Sequence, residues 1–175
     1  MNKSMRNLFF VLIISMGIAL FWNSVPIIKQ TVGLVLNPLA GSLLNWNVTY
    51  GMIIITAILS IFLTLTQKYT TDQSLLREIK KEQKILQGKM KEFKDHPEKL
   101  MELQKKQLQF IPQTFEITMR PLIYTSVPII LFFRWFNDYF MSVDVKIFGF
   151  LSWFWAYLIF SIIFSSIFRK VFNVA

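Results

Sequence analysis

The chain contains a single histidine and no cysteine, so a zinc site, a disulfide and a thiol nucleophile all lack their residues. His96 precedes Pro97 between two charged, helix-forming stretches, a position suited to capping a helix. No His-Glu-x-x-His, Gly-x-Ser-x-Gly or Walker-type glycine loop occurs. The carboxylates fall mostly in one hydrophilic block, and Asp138 and Asp144 have no evident acid/base partner. A lipid or glycosyl transferase would set an acidic metal-binding cluster at a membrane face, and the sequence offers none. The expectation is a protein that is not an enzyme and needs no cofactor.

Hydroxyls in apolar surroundings are the more telling groups. Thr56, Ser60, Thr64 and Gln67 step by 4, 4 and 3 residues, which draws one stripe along a helix. Tyr157, Ser161 and Ser165 repeat the pattern in a later segment, and Thr118, Thr125 and Ser126 lie between, with Arg120 beside them. Two readings stay open. Each hydroxyl can bond its own backbone or a neighbouring helix; alternatively, stripes on separate helices line a hydrated groove, where ionisable groups avoid lipid.

The elements that carry these residues follow from the charge layout. Residues 68–116 hold 11 of the 19 basic and 8 of the 10 acidic side chains, and long apolar runs flank them. Such segregation describes membrane spans around a water-soluble insert. Apolar segments at 8–22, 50–67, 117–136 and 147–168 give an all-α integral membrane bundle of four spans. The net charge of +9 is then the positive-inside bias, and no DNA binding is expected. Lys3, Arg6, the insert, Arg169 and Lys170 all fall on the cytoplasmic side if both termini are inside, in a plasma membrane.

Residues 1–24 read as an uncleaved signal-anchor, since aromatic residues stand where a peptidase wants small ones; a cleaved signal is the rival. Residues 25–49 are apolar but interrupted by Pro26, Gly33, Pro38 and Gly41. They are expected to lie as an amphipathic helix in the outer interface, with a re-entrant loop or plain connector as alternatives. An outer loop is placed at 137–146 and a cytoplasmic tail at 169–175.

The insert carries a heptad seam of Leu76, Ile79, Gln83, Leu86, Met90 and Phe93, then a break at Asp95-His96-Pro97. Leu100, Leu103, Leu108 and Ile111 offer an apolar side to a second helix. The pattern predicts an antiparallel coiled-coil hairpin over 68–116, about 30 Å long. Leu86, Met90, Phe93, Lys99 and Met101 are its candidate partner-binding residues, for a ribosome or targeting factor. The plainer reading is a packed, solvated connector near lipid head groups.

The order of parts resembles the YidC/Oxa/Alb-type membrane protein insertase superfamily. The stretch KKQLQFIPQTFEITMRPLIYTSVPIILFF carries most of the likeness, with Met-x-Pro and a second Pro seven residues on. It is most similar to the short archaeal branch, related to the insertase subunit of the eukaryotic ER membrane protein complex. The resemblance implies a three-span core enclosing a hydrophilic groove open to cytosol and lipid. Its substrates would be nascent membrane proteins with short polar segments, handled without ATP by a monomer or small complex with chaperone-like action. Thr56, Ser60, Thr64, Gln67, Arg120, Thr125, Tyr157, Ser161 and Ser165 are the groove candidates. Segment two lacks the mid-depth arginine of the bacterial pattern, so Arg120 stands in as the groove cation or as an interfacial anchor. A receptor docking a targeting ATPase through the hairpin, and a small ion channel or scaffold, are the competing functions.

Overall fold

A computed structural model describes residues 3–143 and 145–174, with side chains from Arg6 onward. Asp144, expected in the outer loop, lies outside the described residues, as does the Lys3 side chain. Among the described residues seven α-helices follow one another: α1 (Lys3–Phe21), α2 (Pro26–Leu36), α3 (Ser42–Trp46), α4 (Val48–Thr70), α5 (Gln73–Glu92), α6 (Pro97–Val143) and α7 (Trp153–Val171). A π-helical turn, Asn37–Gly41, joins α2 to α3.

Four helical stretches are long and apolar enough to cross a membrane: Pro26–Trp46, Val48–Thr70, Pro97–Val143 and Trp153–Val171. They differ from the four expected segments at the start, because the apolar part of α1, Arg6–Phe21, falls short of span length. Pro26, Gly33, Pro38 and Gly41 were expected to break the second stretch, and they do not. Pro38 sits in the first part of the π-turn, whose wider register accommodates a missing N–H. The Ser42 hydroxyl bonds the Pro38 and Leu39 carbonyls at 2.8 and 2.9 Å.

Length does not settle how that stretch lies, but its contacts constrain it. Lys29 pairs with Asp138 at 2.8 Å, Trp135 donates to Asn37 at 2.8 Å, and Tyr139 donates to Asn45 at 2.7 Å. Thr31, Val32, Val35 and Leu36 also line one pocket with Pro128, Ile129, Leu131 and Phe132 of α6, so the stretch lies against the second half of α6.

α6 is one helix of 47 residues, about 70 Å long and more than twice a hydrocarbon core. It joins the second arm of the expected hairpin to the third apolar segment without a break, and continues to Val143, past the boundary expected at 136. Pro112, Pro121 and Pro128 all lie inside it. Hydroxyls cover nearby carbonyls: Thr125 bonds Pro121 O at 3.0 Å and Ser126 bonds Leu122 O. The last span starts later than expected, at Trp153 rather than 147. Ile147 and Leu151 exchange backbone bonds of 2.8 and 3.0 Å, closing a tight turn in which Phe148 and Gly149 take positive φ.

α1 packs along α6 and touches it by a narrow seam, since Leu8, Ser15 and Trp22 are buried seven residues apart. α4 packs against α3, α6 and α7. Gly51 permits the α3 contact, because a Cβ there would stand 2.5 Å from the Leu43 carbonyl oxygen. The main core lies at the end of the bundle away from α5, built from Trp22, Leu44, Met52, Trp135, Phe136, Phe140 and Tyr157. This is called the aromatic end, and the opposite one the hairpin end.

α5 folds back on the first half of α6. Leu76, Ile79 and Ile117 are buried together with Phe110 against them. Leu86, Met90 and Phe93 on α5, and Leu100, Leu103, Gln107 and Phe110 on α6, are half-buried. The inward positions of α6 therefore run 100, 103, 107, 110, 114, 117. Leu108 and Ile111, expected on the apolar side, face solvent, because a three-four step from Leu103 selects Gln107 and Phe110 instead.

Candidate functional site

α4 and α7 both start at the aromatic end and run to the hairpin end side by side. They are in contact along their length, and near the hairpin end Arg169 donates to Gln67 Oε1 at 2.9 Å.

The polar residues of the two helices differ in exposure. Thr56, Ser60 and Thr64 are buried, as are Tyr157 on α7 and Thr125 on α6. Thr56 bonds the Met52 carbonyl at 2.7 Å and Thr64 bonds the Ser60 carbonyl at 2.6 Å. These hydroxyls are satisfied within their own helix, as one of the two sequence readings held. Beyond Tyr157 no described residue of α7 is buried. There Ser161, Ser165, Ser166 and Arg169 line a slot of about 280 Å³, and Gln67 is half-exposed beside it.

Arg120 is not part of this slot. Its side chain is 43% exposed and stands 4.0 Å from Glu116 on its own helix. It also lies in electrostatic reach of Asp72, at the base of the α5–α6 pair. The Asp72 carboxyl there is held below the usual carboxylate range by the Ser74 hydroxyl and the Leu75 amide.

The cation that lines the slot with Ser161 and Ser165 is Arg169, whose expected place was the cytoplasmic tail. The missed signal was the stripe itself: Tyr157, Ser161, Ser165 and Arg169 step by four. A second tie lies at the hairpin end, where Arg77 on α5 donates to the carbonyl and side-chain oxygens of Asn173 at 2.6 and 2.9 Å.

Of the expected partner-binding residues, Leu86, Met90 and Phe93 turn partly inward. Lys99 lies over the Phe93 ring at 4.8 Å, and Met101 is exposed. Met101, Leu108, Ile111 and Phe115 form an exposed apolar face on the outer side of α6. Among the described residues, no three His, Cys, Asp or Glu side chains come together as a metal site.

A family model described as "Integral membrane protein EMC3/TMCO1-like" matches residues 33–150, from within α2 to the turn before α7. No curated protein and no solved structure matches the chain.

Proposed function

This chain belongs to the EMC3/TMCO1-like family of integral membrane proteins, the branch its sequence resembles, and from that premise we propose that it is a membrane protein insertase. An insertase-related role fits the family. The observation that supports the finer reading is the pairing of a buried Thr56, Ser60 and Thr64 stripe on α4 with a surface slot lined by Ser161, Ser165 and Arg169 on the adjacent α7.

A short translocated segment costs most while its polar groups cross ~30 Å of hydrocarbon. Parting α4 from α7 at the hairpin end would admit water to Ser161, Ser165 and then Ser60, shortening the dry path. Arg169 at the mouth would draw acidic segments, and the apolar remainder of the substrate would slide into lipid. The step needs no bond-making chemistry, cofactor or ATP. α4, α6 and α7 form the three-span core of a multi-pass plasma-membrane protein. α2–α3 lies along the outer interface at the aromatic end, and the α5–α6 coiled-coil hairpin and both termini face the cytoplasm, where Arg169 and Lys170 obey the charge bias.

Photo-crosslinkers at Ser161 and Ser165, tested against a stalled nascent membrane protein, check this reading. Adducts are expected from both, and none from Ile163, which points away. Equal adducts from all three would remove the slot as the path.

The exposed Met101, Leu108, Ile111 and Phe115 face favours a second, compatible reading, in which the hairpin docks a ribosome or targeting ATPase. Pull-down with the full-length protein, comparing wild type with Leu108→Asp/Phe115→Asp, separates the two partners and requires that face for either.

A further inference from the structure

At the aromatic end a pocket of about 870 Å³ lies between α2 with the π-turn and α6. One wall is a single face of α2 and the π-turn, with Lys29, Gly33 and Asn37 at four-residue steps and Gln30 beside them. Trp135, Asp138 and Tyr139 of α6 form the other.

The donors outnumber the acceptors. Asp138 takes Lys29 Nζ at 2.8 Å and Trp22 Nε1 at 2.9 Å. Lys29 remains 55% exposed, with N–H groups to spare. Asn37 is engaged through its oxygen, by Trp135, which leaves its amide N–H groups as donors, and the Gln30 amide is exposed. Arg134 lies in electrostatic reach of Asp138, and its Nε is buried without a hydrogen-bond partner. Among the residues that line the pocket, Lys29 and Asp138 offset one another in charge, and the spare N–H donors of Lys29, Asn37 and Gln30 are what a phosphate oxyanion would accept from.

We propose that this pocket holds the phosphate-bearing headgroup of a membrane phospholipid. Trp22, Trp135 and Tyr139 set its level at the bilayer interface. Leu34, Val35 and Leu39, exposed on the same stretch, give acyl chains an apolar flank that free phosphate would not use. A lipid seated here fills the space between the two walls and holds α2–α3 against α6. The inference needs only that the chain lies in a membrane, and survives whatever becomes of the insertase reading.

Native mass spectrometry of the full-length protein in mixed micelles tests it, with phosphatidylglycerol, phosphatidylcholine and a diacylglycerol of identical chains as probes. One phospholipid is expected to stay bound, with diacylglycerol retained about tenfold less. Lys29→Gln should lower phospholipid retention about tenfold, while Lys146→Gln, an exposed cation in the turn before α7, leaves it unchanged. Gly33→Ala keeps the charge but sets a Cβ 3.3 Å from Asn37 Nδ2, and should lower retention about threefold. Equal retention of diacylglycerol, or equal loss with both lysine variants, overturns the proposal. Inorganic phosphate bound where neither phospholipid is, or an acidic peptide that binds in their place, overturns the lipid assignment.

Discussion

The two ends of the bundle are held by different means. At the aromatic end, helices are joined to one another. Phe136 stacks on Phe140 and Phe140 on Trp153, Phe133 meets Tyr157 edge-on, and Trp22, Trp135 and Tyr139 donate hydrogen bonds across elements. At the hairpin end, the hydroxyls of α4 and α6 bond carbonyls of their own helix. Side-chain ties between elements there include the exposed pairs Arg169 to Gln67 and Arg77 to Asn173. The difference is mechanical. Separating helices at the aromatic end breaks packed ring contacts and interhelical bonds, whereas parting α4 from α7 at the hairpin end strands no buried hydroxyl.

The comparison is broken most directly by truncating a ring. Phe136→Ala removes a side chain only 2% exposed and should cost about 3 kcal/mol of stability, read as a lowered midpoint of unfolding in detergent. A loss under ~0.5 kcal/mol would mean the aromatic end is not the anchor. Next, Arg169→Glu should slow insertion of acidic-tailed substrates about tenfold, worth about 1.4 kcal/mol, with neutral tails affected far less. Arg120→Glu, away from the slot, should spare both; an equal or larger effect would return the groove cation to Arg120. Smaller still, Ser161→Ala should shift stability by less than about 0.5 kcal/mol while reducing insertion.

The weakest effect concerns Asp72. Its carboxyl is held low by the Ser74 and Leu75 contacts, so its cap is complete above the ordinary carboxylate value, about 3.9, and is lost as pH falls through its lowered folded value. Amide exchange at the start of α5 should rise only in that acid window. Asp72→Asn should abolish the dependence, and an unchanged profile would assign it to another group.

Periodicity carried much of this into view. The spacing of Thr56, Ser60 and Thr64 and of Tyr157, Ser161 and Ser165 marked one face on each helix, because i, i+4 steps fix a helical face before any partner is known. It could not tell a lined groove from self-bonded hydroxyls, since both use the same residues at the same spacing. It also stopped one step short of Arg169, whose place beside Gln67 depends on how α7 is set against α4. Pro38 misled for a local reason: a proline ends an α-helix by its missing donor, but a π-turn with Ser42 behind it absorbs the loss. The hairpin seam was legible on α5 and misplaced on α6, where Leu108 and Ile111 are more apolar than Gln107 and Thr114 yet lie on the wrong side of the helix.

What the sequence determined by itself is therefore the inventory: an all-helical membrane chain, a charged helical pair between apolar segments, and two polar stripes. Composition and helical periodicity are properties of the chain alone, so they need no partner to be read. The tertiary structure decided that Arg169 meets Gln67, that α2–α3 lies against α6, and that the aromatic end holds the main core. Those depend on contacts between residues about 100 positions apart, such as Gln67 with Arg169 and Asn37 with Trp135. Such pairs are set by the packing of whole helices, and no local spacing encodes them.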